Sequence, residues 1–459
     1  MTEIPYRAAK PGVELTAVIE SLTHEGRGSF HHGPREVVVR GAWPGDEVDV
    51  RVVRRRRGLA EAVVQEVISE GTSRRDAPCV HIGECGGCIW QQWSRDDQRE
   101  KKRELVRMAF AEGLPGVDVD IAEVMAAGDE FGYRNKMELS FDQWKESPVK
   151  LGLHHAGRYN VVFDMERCHI AQPVVSEIAE IVRQWANRHE LSVYRSRPDE
   201  GLLRYLVLRC ASTGEVMVNL VVSDGEVPAL DELVDRLTGE VPRITSLILG
   251  INGRKGSTAI TETSRVLAGK PTIAEKLGEL EFDVSPASFL QTNAKGTEVL
   301  YDLIAEVAAL DGSQRVLDLY CGMGLIGLWL ANSAREVVGL EQVPEAIADA
   351  ERLRDRMGME HVSFLCGNAE HILPDVVARG ESFDVVIVDP PRAGLHPKAL
   401  KALVDLRAPA IVYVSCNPRA LARDMGELLD AGYRPGTIQP VDMFPHTAHV
   451  ETVVRLDLE

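Results

Sequence analysis

The sequence has no apolar run long enough to cross a bilayer. Its first residues, Met-Thr-Glu-Ile-Pro-Tyr, lack the charged segment and apolar core of a secretion signal. Both absences predict a cytoplasmic protein. An excess of basic residues is also lacking. The net charge is −18 over 459 residues, which argues against a large non-specific nucleic-acid surface but leaves room for a local one. Eight cysteines in a chain of this size do not make a disulfide scaffold, and their clustering points to metal or catalysis in a reducing compartment. What is present is an ordinary globular composition and length for roughly three domains, each able to bury a core.

Residues 12–68 alternate as short strands do: Val13–Ile19, Glu36–Arg40, Glu47–Val53 and Ala60–Val67, separated by Gly/Pro turns such as Trp43-Pro-Gly-Asp46. A small all-β barrel is the natural reading, with Gly26-Arg-Gly28 as an exposed loop. The run Arg51-Val-Val-Arg-Arg-Arg-Arg57 is a basic patch in an acidic chain, suited to phosphate contact. The block resembles the TRAM domain, a small RNA-binding barrel.

Cys79, Cys85 and Cys88 follow, with five and two residues between them. Cys168 is distant in sequence but available as a fourth thiolate. Four sulfurs suit tetrahedral zinc or an iron–sulfur cluster, and spacing does not separate the two; His81 is a further zinc-ligand candidate. Residues 97–112 read as a charged amphipathic connector helix. From Tyr133 to Asn252 strands alternate with helices over 173–189 and 228–238, an α+β block. Tyr133-Arg-Asn-Lys136 sets an aromatic ring beside two cations, as nucleic-acid surfaces do.

From Phe282 onward strand and helix alternate, and the apolar strands are those of a parallel sheet covered on both faces. The first, Arg315–Leu319, runs into the turn Tyr320-Cys-Gly-Met-Gly324 and then a helix over 325–330. This is the strand–loop–helix start of a nucleotide-type site. Glu341, just past the second strand, stands where a doubly wound fold puts a carboxylate on a ribose diol. The first loop offers no Lys or Arg, so an adenosine without phosphates, such as S-adenosylmethionine, fits better. Asn368 and Asp389, after the third and fourth strands, line the same edge.

Two motifs at strand ends carry reactive groups. Asp389-Pro-Pro-Arg-Ala-Gly394 holds a carboxylate on a stiff loop. Ser415-Cys-Asn-Pro418 sets Cys416 before a helix, a nucleophile's position, where the helix N-terminus with Arg392 or Arg419 would lower its pKa. Glu451, in Phe444-Pro-His-Thr-Ala-His-Val-Glu451, is a base candidate if that stretch folds over the site. A thiolate, a methyl donor and a base together suit methylation of carbon 5 of uracil. The thiolate adds to carbon 6, the enolate takes the methyl, and the base removes the carbon 5 proton. The uridine must be flipped out or single-stranded to enter.

These motifs, with Ser288-Phe-Leu-Gln-Thr-Asn293 and in this order, resemble the RNA uracil-5-methyltransferases over nearly the whole chain. The resemblance implies a Rossmann-like catalytic domain over 276–459, after a TRAM-like barrel over 8–70 and a central α+β domain over 71–275. It implies a [4Fe-4S] cluster on Cys79, Cys85, Cys88 and Cys168. Gln291, Tyr320, Glu341, Asn368 and Asp389 are implied S-adenosylmethionine contacts, Cys416 the nucleophile and Glu451 the base. Leu325 departs from the Asn of many ribosomal members. The barrel and cysteines resemble the 23S ribosomal RNA branch, with uridine 54 of transfer RNA as the nearest alternative. An RNA cytosine-5-methyltransferase and a non-catalytic RNA-binding iron–sulfur protein are more distant alternatives. Membrane partners are not expected, and a monomer is presumed.

Overall fold

A computed structural model describes residues 9–56, 58–71 and 74–459. The first six residues and Arg57, both considered above, lie outside that range. Among the described residues no helix is long and apolar enough to cross a membrane.

The N-terminal strands form a six-stranded sheet whose two edges are nearly the same piece of chain. Glu14–Val18 pairs with Glu47–Arg55 at one edge, and Ser21–Leu22 pairs with Gly28–His32 at the other. Residues 14–22 therefore close the sheet into a barrel. Its interior comes from strand alternation: Val48, Val50 and Val52 point inward onto Phe30, Val37 and Val39. Gly26 is not on an exposed loop. It is buried at φ +73°, and a Cβ there would come within 2.5 Å of the Trp90 ring and 2.6 Å of the Ala448 Cβ. The glycine lets the barrel dock against the rest of the chain.

The central residues build a seven-stranded mixed sheet whose middle strands, Leu203–Cys210 and Val216–Val222, are almost wholly buried. Helices Pro173–Arg188 and Leu230–Glu240 share its core. The helix Arg95–Gly113, read as a connector, instead packs on the C-terminal sheet. Its Val106 and Phe110 share a core with Leu421 and Met425 of the helix Pro418–Asp430.

The C-terminal sheet contains β1 (Arg315–Leu319), β2 (Glu336–Glu341), β3 (Val362–Cys366), β4 (Val385–Val388), β5 (Ala410–Ser415), β6 (Gln439–Asp442) and β7 (Glu451–Leu458). The order is β3-β2-β1-β4-β5-β7-β6, parallel from β3 through β5, with β7 antiparallel to both β5 and β6. This is a Rossmann-like, doubly wound fold. The strand order reverses between β1 and β4, and a doubly wound sheet opens its ligand crevice at that point. Met125–Ala126 extends the sheet beyond β6.

Candidate active site

The glycine turn after β1 is held by its neighbours. The Cys321 N–H donates to the Leu340 carbonyl (3.1 Å). Asp318 Oδ2 accepts from the Gly327 N–H at 2.9 Å, fixing the start of the helix Leu325–Leu330. Gly324 takes φ +73°, and a Cβ there would strike the Phe364 ring. Gly322, at φ +55°, has nothing within 4 Å of its Cβ position, so its outer side is open. Leu325 points into the core, which accounts for an apolar residue there.

Glu341 ends β2 beside this turn. Its two carboxylate oxygens accept from the Gly322 N–H (3.2 Å) and the Val343 N–H (2.9 Å). Asp389 ends β4, its N–H directed at the Leu319 carbonyl (3.4 Å). Burial pushes the Asp318 carboxyl up to about 7, and Asp389 and Glu341 add repulsion. Burial alone raises Asp389 to about 7. Asp318 Oδ1 is buried without a hydrogen-bond partner. An open backbone beside three carboxylates suits a cation and repels phosphate. The residues thus fit S-adenosylmethionine, whose sulfonium and ammonium are both positive.

Tyr320, half-buried at φ +63°, follows β1 at the same edge. Asn368 precedes the helix Ala369–Ala378 and makes no side-chain bond to cap it. Gln291 is placed through its carbonyl, which accepts from Asn135 Nδ2 at 3.1 Å.

Cys416 and Glu451 meet at adjacent strand ends. Ser415 pairs with Thr452 across β5 and β7, and Thr452 Oγ1 donates to the Ser415 carbonyl at 3.0 Å. The loops around Cys416 are tied together as well. Asn417 Nδ2 donates to the Arg392 carbonyl (2.8 Å), and buried Asp424 accepts from the Leu395 N–H (2.8 Å) and the Tyr413 hydroxyl (2.6 Å). The expected lowering of the Cys416 pKa is not found. Burial, then the Glu451 and Asp389 charges, push the thiol up to about 11, opposed by Arg392. Arg419 is not among the leading causes of that shift. Glu451 is almost fully buried and is raised to about 8 by burial and Asp389, with Lys102 and Arg392 acting the other way.

Sequence reasoning missed the buried polar face of the helix Arg95–Gly113. Gln98 Nε2 donates to the Trp90 and Trp93 carbonyls (3.0 Å each), and Gln98 Oε1 accepts from the His446 N–H (2.6 Å). Lys102 Nζ donates to Asp442 and to the Phe444 carbonyl (3.0 Å). The available signal was periodicity: Gln98 and Lys102 fall on the stripe that continues through Leu105 and Ala109.

The four candidate metal ligands border one cavity of about 1260 Å³. The Gly87 N–H is directed at Cys85 Sγ at 3.3 Å. Burial pushes Cys88 up to about 12, with Cys168, Cys85 and Cys79 adding repulsion. Among the described residues no group of three or more His, Cys, Asp or Glu side chains converges to hold a single metal ion. His81 is already committed: its Nε2 accepts from the Glu166 N–H at 3.0 Å, and its ring packs on Phe163. The cavity also takes in Arg40, Arg56, Arg134 and Lys136, and it extends to Phe289 and Arg419.

Residues 244–458 match the family model described as tRNA (Uracil-5-)-methyltransferase. An uncharacterized RNA methyltransferase of Bacillus cereus is 37% identical over 447 residues, 97% of this chain and 97% of that protein. This chain belongs to the RNA uracil-5-methyltransferase family. It is an S-adenosylmethionine-dependent methyltransferase acting on RNA. A relative from Clostridium tetani, also an uncharacterized RNA methyltransferase, is 36% identical over 421 residues, covering 92% of the methyltransferase and 91% of the relative. The crystal structure of a Pyrococcus abyssi tRNA (uracil-54, C5)-methyltransferase with S-adenosyl-L-homocysteine matches with a TM-score of 0.75. It is 30% identical, covering 96% of this chain and 100% of that one.

Proposed function

We propose that this methyltransferase modifies carbon 5 of one uridine in 23S ribosomal RNA through a covalent adduct between Cys416 and carbon 6. The observation that carries the covalent chemistry is the shared strand end: the Ser415–Thr452 pair brings Cys416 and Glu451 to one edge, beside Asp389. Cys416 loses its proton and adds to carbon 6, making carbon 5 nucleophilic. Bound S-adenosylmethionine supplies an electrophilic methyl group. Once carbon 5 has taken that methyl, Glu451 accepts the carbon 5 proton, the carbon 6–sulfur bond breaks, and the thiolate leaves. Glu341 would hold the ribose, with Gln291, Tyr320 and Asn368 along the cofactor and Asp389 against the uracil or sulfonium side.

The cavity supports RNA binding in an acidic chain, since nine arginines and lysines against five glutamates line it, with exposed Phe289 available for stacking. For Cys79, Cys85, Cys88 and Cys168 we favour a [4Fe-4S] cluster. Four thiols bordering one cavity supply the four sulfur ligands that such a cluster takes. The Gly87 N–H···S contact is of the kind that tunes cluster sulfurs. Its role here would be structural, shaping the RNA-binding surface.

Transfer RNA uridine 54 is the second reading, favoured by the 30% identity to the Pyrococcus abyssi enzyme across nearly the whole chain. Mass spectrometry of ribosomal and transfer RNA from a deletion strain decides between them. Loss of 5-methyluridine from 23S RNA is expected. Loss from transfer RNA alone selects the second reading, and loss from neither overturns both.

A further inference from the structure

Lys102 is 0% exposed and sits in the helix Arg95–Gly113, far in sequence from every reactive group. Its ammonium donates to Asp442, also 0% exposed, and to the Phe444 carbonyl at 3.0 Å. Both acceptors belong to the end of β6 and the turn that leads back to Glu451. Glu451 lies opposite Val441 in the β6–β7 register, so Asp442 is one residue from Glu451's own partner. A buried ion pair brings little net stability, because two desolvated charges cost about what their attraction returns. Its position next to the Glu451 strand pair suggests a role at that carboxylate.

The geometry points to Lys102 as the positioning residue for the general base: it clamps the β6–β7 turn and sets a buried positive charge beside the Glu451 carboxylate that takes the proton from carbon 5. This rests on the proposed function above. The charges acting on Glu451 are Asp389, which disfavours its ionised form, and Lys102 and Arg392, which favour it. Burial lowers the Lys102 pKa, Asp442 and Glu451 act to hold its charge, and Arg95 opposes them. Arg95 stands 3.5 Å from Asp442 and is the remaining cation of this cluster. Gln98, one turn earlier on the same helix face, grips His446 and so holds the far side of the same turn. The helix thus presents a polar stripe to the segment that delivers the base.

The test uses full-length Lys102→Met, Lys102→Arg and, because a lone buried Asp442 could prevent folding, the double variant Lys102→Met/Asp442→Asn. Each is assayed with an RNA that the parent protein methylates and with the same RNA carrying 5-fluorouridine. Adduct formation on fluorouridine RNA should stay within about threefold of the parent, since it precedes proton removal. Turnover on uridine RNA at pH 7 should fall about tenfold in Lys102→Met and in the double variant, with its acid limb moved about one pH unit alkaline. Covalent RNA–protein adduct should accumulate on ordinary uridine, and Lys102→Arg should restore most of the turnover. Equal losses of adduct formation and turnover, with the limb unmoved, would reduce Lys102 to a structural residue and overturn the inference. A parent protein that forms no fluorouridine adduct would overturn the underlying covalent reading instead.

Discussion

Ser415 and Thr452 face each other across β5 and β7, and the Thr452 hydroxyl closes on the Ser415 carbonyl at 3.0 Å. Cys416 and Glu451 are the next residues outward on the two strands, so a single register fixes both reactive groups. Cys416→Ala should therefore remove the adduct with 5-fluorouridine RNA completely. The site is half-buried and the change small, so unfolding free energy should move by less than about 1 kcal/mol. An adduct that persists on denaturing gels would refute Cys416 as nucleophile.

Glu451→Gln separates the two halves of the reaction. The amide keeps the shape of the side chain but accepts no proton, so methyl transfer should proceed once and the adduct should then persist. Steady-state turnover should fall by about 10²–10⁴, the usual weight of a positioned base. Adduct isolated with ordinary uridine RNA should already carry the methyl group, and an unmethylated adduct would put the base elsewhere.

The pH profile follows from the same two groups. Glu451 works as a base only when ionised, and its pKa is raised to about 8. Cys416 attacks only as a thiolate, and its pKa is raised to about 11. Both shifts have the same sign for activity: the reacting form grows as pH rises. Single-turnover rates should increase from pH 6.5 to about 8.5, whereas a flat profile over that range would show that bound RNA has reset both groups.

The strand ends were legible because a parallel sheet writes itself as short apolar runs, and Asp389 and Glu341 stand one residue, Cys416 two residues, beyond such runs. The Rossmann-like fold followed from the same alternation. The strand Gly28–His32 was missed because Gly26 and Gly28 read as loop punctuation, while the structure uses them for close packing on other parts of the chain. The Cys416 pKa shift was misjudged for a related reason. Sequence shows nearby arginines but not that Glu451, from the far end of the chain, comes closer in effect than Arg419. The connector helix hid its purpose because Gln98 and Lys102 look like solvent-facing residues until their common face is seen to be buried.

Gly26 offers a stability test far from the chemistry. An alanine there adopts an unfavourable left-handed conformation, costing about 1–2 kcal/mol. Its Cβ also meets the Trp90 ring and Ala448 at about 2.5 Å. Trp90 Nε1 donates to the Gly26 carbonyl at 2.9 Å, so the clash falls on a point that joins the barrel to the catalytic part. Gly26→Ala should lose about 2–4 kcal/mol in denaturant unfolding when overpacking is added. An unchanged midpoint would mean that the barrel is not docked there in solution.

The acidic edge predicts how the methyltransferase tells its cofactor from its product. S-adenosylmethionine carries a sulfonium charge and a methyl group that S-adenosylhomocysteine lacks, and the two molecules are otherwise the same. Asp318 and Asp389 have pKa values raised to about 7. Below that pH both carboxyls are protonated and their attraction for the sulfonium is lost; above it the attraction is present. Preference for S-adenosylmethionine should therefore grow by about tenfold between pH 6 and pH 8, roughly 1.4 kcal/mol. Asp389→Asn should flatten that gain without weakening S-adenosylhomocysteine to the same degree. Calorimetric titration with both ligands at the two pH values measures it. Equal pH dependence for the two would show that the carboxylates do not face the sulfonium.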